Sequence, residues 1–415
     1  MSTRSEPEKT PRVHLGYVSK VPIANGLGEA AQGLDEGSVR YVRTTDISGL
    51  FTLDESKAMG LPAEIASAAM ASTGDLLMTA AGSLGTSYLV PAGQEICFAG
   101  YLVRFRPDTT KVHPRYVAWW TQSRDHLDQL ELGAVRSTID NFSASKFRRM
   151  SIPVPAFAKQ QRIADYLDRE TATIDALIEK QRHLIAGLRE RMEASWRKIY
   201  ATVLETVPPL PLKRHVYAIS DGPFGSALTS AHYTDGGVRV IRLGNIGAGV
   251  FKNEDEAYIS PEYGERLKRY SVRPGDLVMA GLGDSSVPLG RTAVVPDGLG
   301  PAINKADCFR LRLRPGADPR YMVIALNAPQ TREMVLQLAH GSTRQRMNTT
   351  VAAQLPIAVP APDVRANIVL RWERETAKID ALIAKAERFI ELAQERRAAL
   401  ITAAVTGQIE IPTED

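Results

Sequence analysis

Cysteine is almost missing from this chain: 415 residues contain two, Cys97 and Cys308. Two thiols exclude a disulfide framework and a four-cysteine zinc site, and they suit a reducing cytoplasm. Each stands before a Phe and a strand-like run, CFAGYLVRFRP and CFRLRLRP, so both are expected as small buried residues in equivalent strands. No apolar run reaches the roughly 18 residues that cross a bilayer. The opening MSTRSEPEKTPR is polar, where a signal peptide would carry an apolar core, and reads as a loose tail. These absences exclude a membrane span.

Catalytic signatures are missing too. No phosphate-binding G-x-x-x-x-G-K-[ST] occurs; the nearest fragment, GDSSVPLGRT from Gly283, has too long a gap and Arg for Lys. The seven histidines form no H-E-x-x-H or other paired metal spacing, so no metal-binding residues are assigned. GYVSK and NGLGEAA do not make the G-x-G-x-x-G of a dinucleotide fold. An adenine methylase needs [ND]-P-P-[YF], and the one Pro-Pro lies in VPPLP, a linker-like stretch. The net charge of +4 with pI near 8.9 permits a polyanionic partner without demanding one.

A duplication is present. ETATIDALIEKQ at Glu170 returns as ETAKIDALIAKA at Glu375 (375 − 170 = 205). The match extends along the chain: VRYVRTTDISGLF answers VRVIRLGNIGAGVF, GDLLMTAAG answers GDLVMAGLG, RFRP answers RLRP, and PRYV answers PRYM. Each copy opens with short β-branched runs between Gly, Pro and Asp turns, interrupted by helical patches, which reads as a mixed α/β domain. After a proline stop the period becomes helical. Leu167, Ile174, Ile178, Ile185 and Leu188 in the first copy, and Ile379, Ile383, Ile390 and Leu400 in the second, fall on a 4–3 heptad seam. Runs of about 40 residues without internal proline exceed ordinary globular helices, so the two helices are expected to pack on each other, antiparallel, about an approximate two-fold axis.

Polar and cationic residues recur at matching loops. Arg136, Ser137, Thr138, Asn141 and Lys146 in GAVRSTIDNFSASK correspond to Arg344, Gln345, Arg346 and Asn348 in GSTRQRMNTT. A second set pairs Arg40, Arg43, Thr45 and Asp46 with Arg239, Arg242 and Asn245 where a strand enters a turn. Arg can fork onto guanine, Asn or Gln onto adenine, and hydroxyls onto bases or phosphates, so both sets are candidate DNA readers. Two rival readings are an autonomous DNA methyltransferase or nuclease, weakened by the missing motifs, and a coiled-coil scaffold that binds only proteins.

The order of these pieces resembles the DNA specificity subunit of type I restriction-modification enzymes: DGPFGSAL from Asp221, V-x-R-x-x-N-I, G-D-L, a G-S loop, I-x-V-P, then a helix with E-T-x-x-I-D-x-L-I, all duplicated. The resemblance implies target recognition domains at 1–158 and 206–363, with spacer helices at 159–205 and 364–407. It implies a non-catalytic, cytoplasmic chain that reads a bipartite double-stranded DNA target and docks two methyltransferase subunits, to which restriction or translocase subunits add. AdoMet, ATP and magnesium would belong to those partners. The first copy departs from the pattern, with NGLGEAA where the second has DGPFGS.

Overall fold

The computed structural model describes residues 10–31, 33–133, 142–284, 287–339 and 345–412. The chain folds as two compact units, Met1–Arg182 with Ala386–Asp415, and His183–Lys385. Two long helices, Phe157–Thr206 and Pro362–Val405, each give one half to each unit. The first ends just before Pro208, whose ring disfavours helix in the preceding residue. The second has Pro362 in its first turn, where a missing N–H costs nothing. It closes on Gly407 at φ 74°, with Gln408 N donating to Ala403 O at 2.8 Å and Gly407 N to Ala404 O at 3.3 Å. That is the six-to-one and five-to-two pairing of a glycine helix stop.

The heptad residues follow the expected seam. Leu167, Ile174, Ile178 and Ile185 are buried, Leu188 is half-buried, and Ile379, Ile383, Ile390 and Leu400 are all half-buried, while most residues between them are exposed. In the first unit Ile163, Ala164 and Leu167 share a core with Ile401, Ala404 and Val405, and further along Asp175 pairs with Arg397 at 2.9 Å. In the second unit Trp196 meets Trp372 at 4.5 Å between ring centroids, and Ser195 donates to Glu375. Within each unit the helix segments therefore run antiparallel.

Each unit's globular part is built on two larger sheets, beside short two-stranded pairings. In the first, Ser38–Val42 pairs parallel with Glu95–Phe98, and a separate antiparallel sheet holds Leu76–Thr79 between Leu102–Phe105 and Ser87–Leu89. In the second, Val238–Ile241 pairs parallel with Ala302–Asn304, and Leu277–Ala280 lies between Cys308–Leu313 and Thr292–Val294. The correspondence reaches single bonds. Arg106 pairs with Asp75 at 2.6 Å as Arg312 does with Asp276 at 2.7 Å. The Tyr116 hydroxyl donates to Pro153 O at 2.6 Å as Tyr321 does to Ala358 O at 2.7 Å.

One expectation is corrected by register. Cys97 lies opposite Tyr41 in the parallel pair, whereas Cys308 lies opposite Ala280 in the antiparallel sheet, where the first copy has Leu102 opposite Thr79. The cysteines are both fully buried but not equivalent. One offset of 206 runs through both strands, so Cys97 answers Ile303 and Cys308 answers Leu102.

Candidate nucleic-acid interface

Burial and hydrogen bonding sort the candidate readers. In the first unit the turn after Ser38–Val42 is built on Asp46, which is fully buried and accepts from Arg43 N at 3.1 Å and from Arg43 Nη2 at 2.8 Å. Arg40 completes the cluster, 3.5 Å from the same carboxylate. The second unit repeats the turn with an amide. Asn245, fully buried, accepts from Arg242 N at 2.8 Å and donates to Lys252 O at 2.8 Å and Asp255 O at 2.9 Å. Arg242 pairs with Asp255, and buried Arg239 donates to Tyr258 Oη at 2.9 Å and Asn253 O at 2.8 Å.

Arg40, Arg43, Arg239, Arg242 and Asn245, expected as base readers, are placed in turn networks where they bond to one another and to nearby carbonyls. A buried carboxylate or amide needs every lone pair and donor met, and these residues meet one another. Thr45 stays exposed beside the turn. Lys146 is half-buried and donates to Gly133 O at 2.6 Å, neutralising the end of the Arg124–Gly133 helix. Asn348 is the N-cap of Thr349–Gln354, accepting from Val351 N at 2.8 Å. Arg136, Ser137, Thr138, Asn141 and Arg344 lie outside the described residues.

Gln345 and Arg346 remain. They form a two-residue strand against Leu282–Gly283, with Gln345 opposite Gly283. Arg346 is exposed, yet its position is fixed: Nε and Nη2 lie 3.0 Å and 2.8 Å from Asp307 Oδ1, and the guanidinium sits 5.7 Å from the ring centre of exposed Phe224. Asp307 adopts φ 62°, a left-handed conformation that costs a non-glycine residue and aims its side chain. A guanidinium held on one edge keeps donors on the other and loses little freedom on binding. Nearby Asp221 has its carboxyl raised to about 6, first by burial and then by the Asp307 charge, against the Gly222 N–H that favours ionisation.

Sequence reading underrated the opening loop. Ala24 and Ser220 occupy equivalent places, opposite Arg104 and Arg310, so Asn25-Gly26 stands where Asp221-Gly222 does. A Cβ on Gly26 would fall 2.0 Å from Phe98 O, and one on Gly222 would fall 2.2 Å from the Lys305 carbonyl carbon. Both loops cross the end of the parallel strand at a distance that only glycine permits. The signal was the shared Asn-Gly and Asp-Gly, hidden by the residues around them. Behind the second unit's interface, buried Arg291 donates to the carbonyls of Ile246, Leu282, Pro288 and Leu243 and ties the flanking loops together.

The long helices also expose apolar residues off the seam at matched positions: Leu177 and Leu184 on the first, Leu382 and Phe389 on the second. Among the described residues no His, Cys, Asp and Glu side chains converge to hold a metal ion, and no helix is long and apolar enough to cross a membrane.

Residues 24–185 match the type I restriction modification DNA specificity domain. The type I restriction enzyme EcoKI specificity subunit of Escherichia coli (strain K12) is 21% identical over 313 residues, 69% of this chain and 64% of that protein, so the chain spans less than two thirds of its length. A chain solved in work on complex assembly and conformational transition of the type I R-M system shares the fold, with a TM-score of 0.67 at 16% identity over 97% of this chain and 100% of that one. The HsdS subunit from Thermoanaerobacter tengcongensis covers 98% of this chain and 99% of its own at 16% identity, with a TM-score of 0.49.

Proposed function

We propose that this chain, which carries a type I restriction-modification DNA specificity domain over residues 24–185, is the sequence-reading subunit of such a system. It reads a bipartite double-stranded DNA target, one half with each unit, and docks methyltransferase subunits on its long helices. The observation that carries this reading is the contrast within the duplication. The helices keep ten of the twelve residues from Arg169 to Lys180 at Arg374 to Lys385, and both carry outward apolar residues that the seam does not need, Leu177 with Leu382 and Leu184 with Phe389. The loops diverge: Asn25 against Asp221, and seven residues from Ala80 to Thr86 against eleven from Gly281 to Arg291. Identical partners need identical docking faces, while different bases need different readers.

In this reading the chain is non-catalytic and cytoplasmic, and AdoMet, ATP and magnesium belong to methyltransferase and restriction or translocase partners. Half-buried Gln345 and exposed Arg346 read bases in the second half-site together with Arg344, and Arg136, Ser137, Thr138 and Asn141 serve the first. Methylation-sensitive sequencing of the source genome tests the function directly. A bipartite modified adenine motif that vanishes when this gene is deleted is expected; an unchanged methylome overturns the proposal. Binding of the isolated chain to random duplex should fall steeply with salt, as phosphate neutralisation requires. A flat salt dependence would favour a scaffold that binds only proteins.

A further inference from the structure

The two units differ at one place where the duplication leads one to expect sameness. In the first unit Arg397, on the second long helix, pairs with Asp175 at 2.9 Å and lies 5.7 Å from the ring centre of Trp119. Phe51 packs edge-on against the same indole at 5.5 Å. A cation thus sits between a helix carboxylate and an aromatic wall.

The equivalent positions of the second unit, 205 residues away in the duplication, hold Met192 for Arg397, Asp380 for Asp175 and Ile324 for Trp119. Met192 has no cation to match Arg397, and the Trp119 wall has shrunk to Ile324; the one arginine lining the cavity among the described residues, Arg320, is neutralised by Asp318 at 3.6 Å and Glu373 at 3.3 Å. What remains is a cavity of about 270 Å³. Its new aromatic wall comes from the helices: Trp196 and Trp372, 4.5 Å apart, stand where the first unit has Ile401 and Leu167. Trp196 is fixed by its Nε1 donating to Ile324 O at 2.8 Å. Glu373, at the cavity edge, is already committed to Arg320 at 3.3 Å. Asp380 lines the cavity and makes no hydrogen bond or ion pair among the described residues. Val250, 63% exposed, also lines the cavity.

We infer that this cavity of the second unit binds an alkylguanidinium group, which takes the place that Arg397 fills in the first. The chemistry is complementary in each part. Trp196 and Trp372 both line the cavity, and indoles attract planar cations, with Arg-type groups the commonest partners. The free Asp380 carboxylate supplies the counter-charge, and the apolar walls of Met192, Ile324 and Val250 receive the alkyl stem. The group comes either from a free guanidine or from an arginine side chain on another protein.

The test uses the full chain and its own tryptophan emission. Titration with n-butylguanidinium is expected to give a saturable change, and n-butylurea, its neutral isostere, none. Asp380→Asn, which removes an exposed charge and no packing, should weaken binding roughly tenfold. Met192→Arg, which restores the first unit's arrangement, should abolish it. A Gly-Arg-Gly tripeptide binding at least as tightly as n-butylguanidinium assigns the site to a protein's arginine; weaker binding assigns it to a free guanidine. The inference is overturned by absence of saturable binding, by equal binding of the urea, or by unchanged binding in Asp380→Asn, whatever the folding of Met192→Arg.

Discussion

Replacing Asn245 by Ala separates two roles that sequence alone cannot tell apart. As a base reader, Asn245 would affect DNA preference and leave stability alone. In the structure it is fully buried and makes three bonds, to Arg242 N, Lys252 O and Asp255 O, at 2.8 to 2.9 Å. Each such bond contributes about 1 kcal/mol net, and a buried group left unpaired costs about 1 to 3 kcal/mol. Asn245→Ala should therefore destabilise the second unit by about 2 to 4 kcal/mol, a shift of about 1 to 2 M in the urea midpoint at an m-value near 2 kcal/mol/M. Asn245→Asp should be no better, because a carboxylate would face the Lys252 and Asp255 carbonyls that the amide now serves. The reciprocal change, Asp46→Asn, should cost about 1.5 to 3 kcal/mol in the first unit by weakening charge-assisted bonds to Arg43. Urea unfolding followed by hydrogen exchange in peptides spanning 238–259 and 38–53 assigns each loss to its unit. An Asn245→Ala protein within about 0.5 kcal/mol of the parent, with altered base preference, would refute the structural assignment.

Three other outcomes are expected. Arg346→Ala or Gln345→Ala should cost about 1 to 3 kcal/mol of discrimination in one half-site and leave the other intact, measured by methylation of duplexes with single base changes; equal loss at both halves would remove them from base reading. Asp221, pushed by burial above the usual carboxylate range to about 6, favours the folded protein when protonated, so its contribution is full below about pH 4 and is lost as pH rises through 6. Binding to the second half-site should tighten as pH falls below 6, and Asp221→Asn should flatten that dependence in anisotropy titrations. Leu177→Lys with Leu382→Lys should leave the urea midpoint nearly unchanged and abolish assembly with methyltransferase in sedimentation; retained assembly would place docking elsewhere.

The sequence by itself determined the duplication, the alternation of mixed α/β segments with helices, and the heptad seam from Leu167 to Leu400. These features are periodic, and burial of a periodic apolar stripe is decided by spacing along the chain. Tertiary structure alone decided which polar residues stay available. Arg40, Arg43, Arg239, Arg242 and Asn245 have the side chains of DNA readers, and nothing local distinguishes them from Gln345 or Arg346. The fold gives them intramolecular partners: Asp46 in the first unit, and in the second Asp255 and Tyr258, which fold back onto the turn from the next strand region. The equivalence of Asn25-Gly26 with Asp221-Gly222 likewise needed the sheet register, because the constraint is a crossing of backbones. The same holds for the cavity beside Trp196 and Trp372. Its walls come from Met192 and Ile324, which are far apart in sequence and meet only in the fold.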